Sequence, residues 1–303
     1  MIEWFKKHVY AAISERYMHG CSNYNDLEVR RSCRSKEQGR TRFAEGGVPH
    51  ARGLVFFNPW KAHRFAKEHG FPLVIKPNVS GYSRGSYFPI TNFRDLWKAM
   101  ALARIWWPRT VVEQYLEGPN YRVVTVKGKI MSVIQRYPPF VIGNGRDTVS
   151  ALIDAENAIR ESMALYGGMF PISKGELVVK HLKKHGHTLD SVPADGERVE
   201  CFHRVALAPG GVVHAIESET VHPDNLELFL HVLELFKANI LGIDVIFERG
   251  IEESHKTQRC IVLEVNSRPY LKMHDYPRYG KKHDLSGYYA ELDQLAVNQP
   301  HTF

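Results

Sequence analysis

The chain has 303 residues, 44% of them hydrophobic and 24% charged, and carries a formal net charge of +7. This composition is normal for a soluble enzyme with a large core, and no apolar run reaches the length of a membrane span. The positive charge favours anionic partners without choosing among nucleotides, acidic amino acids and nucleic acid. Its four cysteines are scattered without a CxxC pair, so we expect reduced thiols in a cytoplasmic protein.

The first elements along the chain are helical and rich in charge. Apolar residues recur at helical spacing over residues 1–18, which predicts an amphipathic helix that covers a surface or packs in a dimer. A basic segment follows, with Lys36 and Arg40 on one helical face, and it ends at Gly46. The ordinary interpretation of such a segment is a solvated helix face.

Strand and helix patterns then mix to the end of the chain. The predicted strands are 53–57, 73–76, 87–88, 110–118, 121–126, 130–137, 198–206, 212–216, 241–247 and 259–266. The predicted helices are 59–69, 92–105, 148–166, 174–185 and 223–239. Because hairpins and crossovers both occur, the fold class is predicted to be α+β.

The last two strands carry three hard oxygen ligands. Asp244 lies within one apolar strand, and Glu264 and Asn266 lie two residues apart on the next. Side chains at i and i+2 point to the same face of a strand, so Glu264 and Asn266 aim together. The set suits Mg²⁺, which takes few protein ligands and completes its octahedron with water and phosphate oxygens. The alternative is a pair of solvated edge charges or a structural ion pair.

Two further segments suit a nucleotide. Lys76 ends an apolar strand, and the Gly/Ser-rich loop 80–86 behind it offers backbone N–H groups to triphosphate oxygens. An ordinary surface turn is the alternative. The strand from Glu113 to Leu116 offers backbone groups to a purine, with Glu117 or Asn120 near the ribose. A plain core strand is the alternative there.

Arginine and histidine side chains supply the remaining candidates. Arg122 and Arg136 lie on paired strands and suit a carboxylate or phosphate by bidentate contacts, surface exposure being the alternative. His181 and His185 have zinc-like spacing, but lysines surround them and no acid or cysteine accompanies them, so we assign no metal site there.

Between residues 35 and 274, ten short segments follow one another in an order and spacing that are together highly specific. They are Gly47-Val48-Pro49, Phe71-Pro72-Leu73-Val74-Ile75-Lys76-Pro77, Val112-Glu113-Gln114-Tyr115-Leu116-Glu117-Gly118, Asn120-Tyr121-Arg122-Val123, Val141-Ile142-Gly143-Asn144-Gly145, Val192-Pro193-Ala194, Gly196-Glu197-Arg198-Val199, Val221-His222-Pro223-Asp224-Asn225, Gly242-Ile243-Asp244 and Glu264-Val265-Asn266. In this order they resemble the ATP-grasp carboxylate–amine ligases, most closely the ATP-grasp portion of the cyanophycin synthetases.

The resemblance implies an ATP-grasp fold in which two α/β lobes clamp ATP. It divides the chain into a short N-terminal helical extension (1–34), the start of the core (35–74), a small lid-bearing lobe (75–118) and a large C-terminal lobe with the metal and substrate site (119–303).

The resemblance also implies ATP and Mg²⁺ as cofactors and gives each candidate a role. The expected nucleotide-binding residues are Arg40, Lys76, Ser80, Gly81, Ser83, Gly85, Glu113, Gln114, Leu116 and Asn120. Arg40 stands where the family has its first ATP-contacting lysine, and Asn120 replaces an acid at the ribose. Asp244, Glu264 and Asn266 would bind Mg²⁺.

The expected catalytic residues are Arg122, Arg136 and Arg268, and the expected substrate contacts are Arg122, Arg136 and His274. Arg268 either reads a second carboxylate or forms a salt bridge to Glu264 or Asp275. The implied activity is an ATP-dependent ligase that joins a carboxylate to an amine through an acyl phosphate.

The alternative function is a nucleotide-binding pseudoenzyme or partner-dependent subunit, suggested by the short region before the resemblance. We expect an amino acid or peptide as the small-molecule partner, and neither nucleic acid nor membrane, since the basic residues are dispersed among acids. Assembly into a homo-oligomer is left open.

Overall fold

The computed structural model describes residues 24–33, 35–79, 85–205, 207 and 209–296. The helix predicted at 1–18 and the loop residues Ser80, Gly81 and Ser83 lie outside these ranges. Among the described residues, no helix is long and apolar enough to cross a membrane.

Helices and strands alternate irregularly along the described chain. The helices are α1 (Leu27–Ser32), α2 (Lys36–Glu45), α3 (Pro59–His69), α4 (Phe93–Trp106), α5 (Val149–Ser162), α6 (Glu176–Lys184), α7 (Pro223–Leu235), α8 (Lys272–Asp275) and α9 (Ser286–Ala296). The strands are β1 (Gly53–Phe56), β2 (Leu73–Pro77), β3 (Tyr87–Ile90), β4 (Thr110–Gln114), β5 (Asn120–Val126), β6 (Lys129–Tyr137), β7 (Phe140–Ile142), β8 (Arg198–Glu200), β9 (Val212–Ile216), β10 (Ile240–Phe247) and β11 (Cys260–Asn266).

The first sheet has four antiparallel strands in the order β1-β4-β2-β3. Leu73, Ile75 and Val112 point from it into a core built with α3 and α4. Because side chains alternate across a strand, Lys76 and Glu113 point to the opposite face, away from these helices. Because apolar and polar residues alternate along β2 and β4, Lys76 and Glu113 lie on the face of the first sheet that α3 and α4 do not cover.

The second sheet has five antiparallel strands in the order β11-β10-β5-β6-β9. Tyr121, Val123 and Ile243 point into a core that includes Phe229 of α7. The alternate residues of β5 and β10, among them Arg122 and Asp244, therefore point to the other face. Strands β7 and β8 form a separate two-stranded sheet.

Gly118 lies in the short connection from β4 of the first sheet to β5 of the second. Its φ is 154°, and a Cβ built there would overlap the carbonyl oxygen of Phe247. Only glycine lets the connection pass so close to the end of β10.

Asn25 ties the start of the described chain to the second sheet. Its side chain is 2% exposed, and its Nδ2 donates to the carbonyls of Ile240 (2.7 Å) and Ser267 (2.8 Å). Its Oδ1 accepts from the N–H of Asn239 at 2.8 Å. One amide thereby satisfies backbone groups at the start of β10 and just past β11.

The element predictions are confirmed for most of the chain, but the strand predicted at 110–118 ends at Gln114, and β7 was not predicted. The strand predicted at 198–206 ends at Glu200, and Arg204 in the loop beyond it donates from Nη2 to the carbonyl of Ser86 at 3.1 Å. Helices α8 and α9 were also not predicted. Helix α8 is a single turn, too short for a periodic pattern, whereas α9 was missed although Leu285, Tyr288, Tyr289 and Leu292 recur at helical spacing.

Candidate active site

Lys76 and Glu113 form a buried ion pair on the open face of the first sheet. Glu113 lies opposite Val74 in the register of β2 and β4, so the pair is diagonal. The Lys76 Nζ donates to Glu113 Oε1, and the side chains are only 9% and 7% exposed. The lysine predicted to hold phosphate is thus held by the glutamate predicted to face adenine.

Lys36 lies beside this pair, at the first position of α2. Ser35 caps the helix by accepting from the N–H of Gln38, and Asn78, just after β2, accepts from the N–H groups of Lys36 (3.2 Å) and Glu37 (3.1 Å). The start of α2 is therefore fixed against the end of β2.

The Lys36 side chain is only 10% exposed, and its Nζ lies 3.9 Å from Glu264 Oε2. Burial lowers its pKa, and the charge of Lys76 adds to that effect while Glu264 opposes it. The sequence interpretation of this segment as a solvated face is wrong for Lys36. The sequence carries no local signal for this burial, because it follows from the packing of the start of α2 on Asn78 at the end of β2.

Arg122, Asp244 and Glu264 lie in register across β5, β10 and β11. Asp244 is directly opposite Arg122 on one side and Glu264 on the other. Arg122 donates to both Asp244 oxygens, with its Nη2 at 2.9 Å from Oδ2, and the Arg136 Nη2 lies 3.1 Å from Oδ1. The alternative of surface exposure is wrong for Arg122, which is 8% exposed.

The Asp244 carboxylate is ionised by its surroundings. Burial acts to raise its pKa, but the guanidinium groups of Arg122 and Arg136 outweigh burial, so the pKa lies below its ordinary value. Arg136 also donates from Nε and Nη2 to the Oδ1 of Asn120, at 2.9 and 2.6 Å. The amide oxygen of Asn120, predicted to approach ribose, is therefore already used by Arg136.

Asn266 completes the predicted metal set on the same face as Glu264. It lies two residues along β11 and opposite Gly242 of β10. Its Nδ2 is buried without a hydrogen-bond partner among the described residues. No group of three or more His, Cys, Asp or Glu there is arranged to hold a metal ion. Two carboxylates and one amide, all with hard oxygens, nevertheless fit Mg²⁺, which takes its other ligands from water and phosphate.

His274 lies behind the two arginines. It is 2% exposed, and its Nδ1 is 2.9 Å from Ser132 Oγ. Burial lowers its pKa to about 3, and the charges of Arg122 and Arg136 reinforce that effect. A neutral imidazole beside two cations can orient a ligand without adding charge. Arg268, just past β11, is also buried at 7% exposed.

The segment predicted for adenine borders a small apolar cluster. Leu116 packs with Ala51 and Ile261, and Ile246 and Leu263 lie against them. The N–H of Gln114 donates to the Arg52 carbonyl at 2.9 Å, and that of Tyr115 donates to the Pro72 carbonyl at 3.1 Å. The N–H groups of Gln114 and Tyr115 are therefore already bonded within the protein, beside the apolar cluster around Leu116.

Arg40 lies over Gly53, which is paired with Glu113, so its guanidinium group is beside Glu113 on the same face of the first sheet. A Cβ built on Gly53 would lie 2.9 Å from Arg40 Nη1, and Nη2 is buried without a hydrogen-bond partner among the described residues. Gly85, the one predicted loop residue that is described, packs near Trp106 and Pro77. The structure thus brings together the lysine, arginine, carboxylate and histidine candidates, with Arg40 beside Glu113.

Comparison with known proteins relates this arrangement to ligases. No family model matches the chain. The cyanophycin synthetase of Trichormus variabilis is 31% identical over 279 residues, which cover 90% of this chain and 30% of that protein. The chain therefore spans about a third of the length of the curated relatives it matches.

Two solved structures match the fold. A bifunctional glutathione synthetase from Pasteurella multocida gives a TM-score of 0.62 at 22% identity, covering 91% of this chain and 38% of that one. The ATP-grasp ligase PsnB, complexed with a phosphomimetic variant of its minimal precursor, Mg and ADP, gives 0.52 at 13% identity, covering 90% and 61%. These likenesses confirm the predicted α+β ATP-grasp fold.

Proposed function

We propose that this chain, a member of the ATP-grasp family, is an ATP-dependent ligase that joins a carboxylate to an amine. The observation that carries the proposal is the in-register row Arg122, Asp244 and Glu264, approached by Lys36. Basic groups beside carboxylates on neighbouring strands suit the transfer of a phosphoryl group, in which negative charge must be both bound and offset.

Lys36 and Lys76 are proposed to hold the phosphates of ATP. Both side chains are at most about a tenth exposed; Lys76 donates to Glu113, and the Lys36 Nζ lies 3.9 Å from Glu264 Oε2. A triphosphate competes well for such lysines because it brings more negative charge than one carboxylate. Leu116 and its apolar neighbours would take the adenine, as the expected family site implies.

Asp244, Glu264 and Asn266 would hold Mg²⁺. When bound, the metal would offset charge on the phosphoryl group that is transferred. Arg122 and Arg136 keep Asp244 ionised over a wide pH range, so the site retains its anionic ligand. The relative PsnB was solved with Mg and ADP, which supports the same pair of ligands here.

The reaction would proceed in two steps. A substrate carboxylate oxygen attacks the γ-phosphorus, and the bond from that phosphorus to the β-phosphate oxygen breaks. ADP is released, and the substrate becomes an acyl phosphate. An amine then attacks the acyl carbon, phosphate leaves, and the amine proton passes to solvent or base. Arg122, Arg136 and Arg268 are proposed to offset charge on the acyl phosphate, and His274 to help orient the substrate.

The substrate is proposed to be an amino acid or a peptide. The names of the relatives, cyanophycin synthetase and glutathione synthetase, support this class. The chain covers 30% of the first of these proteins and 38% of the second.

A second candidate is nucleotide binding without turnover, by a pseudoenzyme or a partner-dependent subunit. One observation favours it: Asp244 is already bound by two arginines, and Lys76 by Glu113. In such a site, a ligand or a partner must break the ion pairs within the protein before the charged groups can take part in turnover.

The test is release of ADP and phosphate from MgATP, with pooled amino acids and short peptides. Asp244→Asn and Lys76→Ala are the site variants, and Asp190→Asn and Lys98→Ala, both at exposed positions, are the matched controls. A ligase predicts stimulation by one pool that survives in the controls and disappears in the site variants. ATP binding without turnover in any pool would favour the second candidate, and absence of ATP binding would overturn both.

A further inference from the structure

A basic cleft of about 620 Å³ adjoins the site described above and shares Arg40 and Ala51 with it. Its walls come from α3, from the segment leading into β1, and from Arg40 of α2. Helix α3 packs on the face of the first sheet opposite Lys76 and Glu113. The cleft therefore opens at the outer edge of β1 and borders the nucleotide site at Arg40 and Ala51.

The charge of this basic cleft is strongly positive. Arg40, Arg52, Lys61 and Arg64 line it together with a single carboxylate, Glu68. Within the part of the chain that the structure describes, none of these four cations forms an ion pair. Among the described residues, the carboxylate of Glu68 forms no salt bridge to these cations; its Oε1 lies 3.6 Å from His69 Nε2. Cations left without counter-charges around one concave surface attract an anionic ligand.

The other wall of the cleft is a strand edge with free backbone groups. β1 is the end strand of its sheet, and no described strand pairs with its outer side. Gly53 lies opposite Glu113, and the Arg52 carbonyl accepts from the N–H of Gln114. That pattern makes Gly53 and Glu113 a non-hydrogen-bonded pair, so the N–H and C=O of Gly53 point away from β4. By the same alternation those of Val55 also point outward.

Free backbone groups at this spacing match the backbone of another extended peptide. A nucleic acid strand would use the cations equally well, but it has no alternating donors and acceptors to meet Gly53 and Val55. We propose that the basic cleft and the outer edge of β1 bind an extended acidic peptide segment, which adds a strand beside β1 while Arg52, Lys61 and Arg64 contact its carboxylates.

The competing explanation is protective. Natural sheets place cations on short edge strands to prevent unwanted pairing, and β1 has only four residues. A protective edge binds no peptide, whereas a receptor edge binds an acidic one, so a binding measurement separates the two.

The probe is a fluorescein-labelled peptide of alternating Glu and Thr, read by fluorescence anisotropy with the full chain. Its controls are the same peptide with Gln for Glu, the same acidic peptide N-methylated on alternate residues, and a single-stranded oligonucleotide of equal charge. We expect the acidic peptide to bind at least about tenfold more tightly than each control.

The charge-reversal variant Lys61→Glu/Arg64→Glu should weaken binding of the acidic peptide at least about tenfold. Lys67→Glu, exposed on the same helix but outside the cleft, should not. Val55→Pro should also weaken binding, since it removes an outward N–H without removing a bond to β4. The N-methylated peptide makes the same backbone test if that variant fails to fold.

Three outcomes would overturn the proposal. Absence of peptide binding would indicate that the cations protect the edge of β1 from unwanted strand pairing. Equal binding of the acidic and N-methylated peptides would show charge attraction without strand addition. Equal or tighter binding of the oligonucleotide would assign the basic cleft to nucleic acid.

Discussion

Lys76 and Glu113 form a diagonal ion pair across β2 and β4, with both side chains less than a tenth exposed. Removal of one member of a buried ion pair leaves the other charge buried and unpaired, which is strongly destabilising. Lys76→Met should therefore lower the free energy of unfolding by about 3–5 kcal/mol in the absence of ATP. The double variant Lys76→Met/Glu113→Leu should be less destabilised than Lys76→Met. Urea denaturation checks both, and a double variant that is merely additive would argue against coupling.

Lys36 is predicted to contribute to nucleotide affinity. Its buried ammonium group lies next to Glu264 and close to Lys76, so its loss removes positive charge from the proposed phosphate site. Lys36→Met should weaken MgATP binding by about tenfold or more in calorimetry. Lys67→Met, an exposed change on α3, is the matched control. Unchanged affinity in Lys36→Met would separate Lys36 from the nucleotide.

Asp244 should make the stability of the chain depend on acid. Its pKa in the folded state lies below the ordinary value of about 3.9, so the unfolded state takes up a proton first as the pH falls. The stability it contributes is complete above about pH 4 and is lost as the pH falls through the lowered value. The difference in unfolding free energy between the wild type and Asp244→Asn should shrink over that range. A difference independent of pH would contradict the ionised carboxylate.

His274 should affect the stability of the chain over a different pH range. Its folded-state pKa is about 3, while a histidine in the unfolded chain titrates near about 6.5. Stability from the neutral, buried imidazole is complete above about pH 6.5 and falls below it, by up to about 1.4 kcal/mol per pH unit. His274→Gln should flatten this slope, and His185→Gln, at an exposed position, should not. An NMR titration in which His274 becomes charged near pH 6 would refute the prediction.

Gly118 should tolerate no side chain. A Cβ would overlap the carbonyl oxygen of Phe247, and a backbone atom moves only with its strand. Gly118→Ala should lower the unfolding free energy by about 3 kcal/mol or more. Gly287→Ala, which has open space at the start of α9, should be neutral or slightly stabilising. Similar melting temperatures for the two variants would show that the connection has room to move.

Local patterns in the sequence were sufficient to predict strands β10 and β11 and which of their side chains share a face. The apolar alternation around Asp244, Glu264 and Asn266 predicted both strands and the shared face, since strand geometry fixes side-chain direction within two residues. The metal role of these residues remains a prediction.

The pairing of distant residues could not be predicted in this way. Nothing local indicates that Lys76 meets Glu113, that Ser132 meets His274, or that Asn78 fixes the start of α2 and buries Lys36. These contacts depend on how the two sheets and their helices are placed, which no short window of sequence specifies.

The Asn25 amide has a consequence for the order of folding. Its bond to Ile240 joins residues 215 positions apart, and the entropy of closing so long a stretch of chain must be spent before the bond can form. We expect this tether to be absent from the folding transition state and present only in the native protein. Weakening it should then speed unfolding while leaving the refolding rate almost unchanged, which makes Asn25 a determinant of native lifetime.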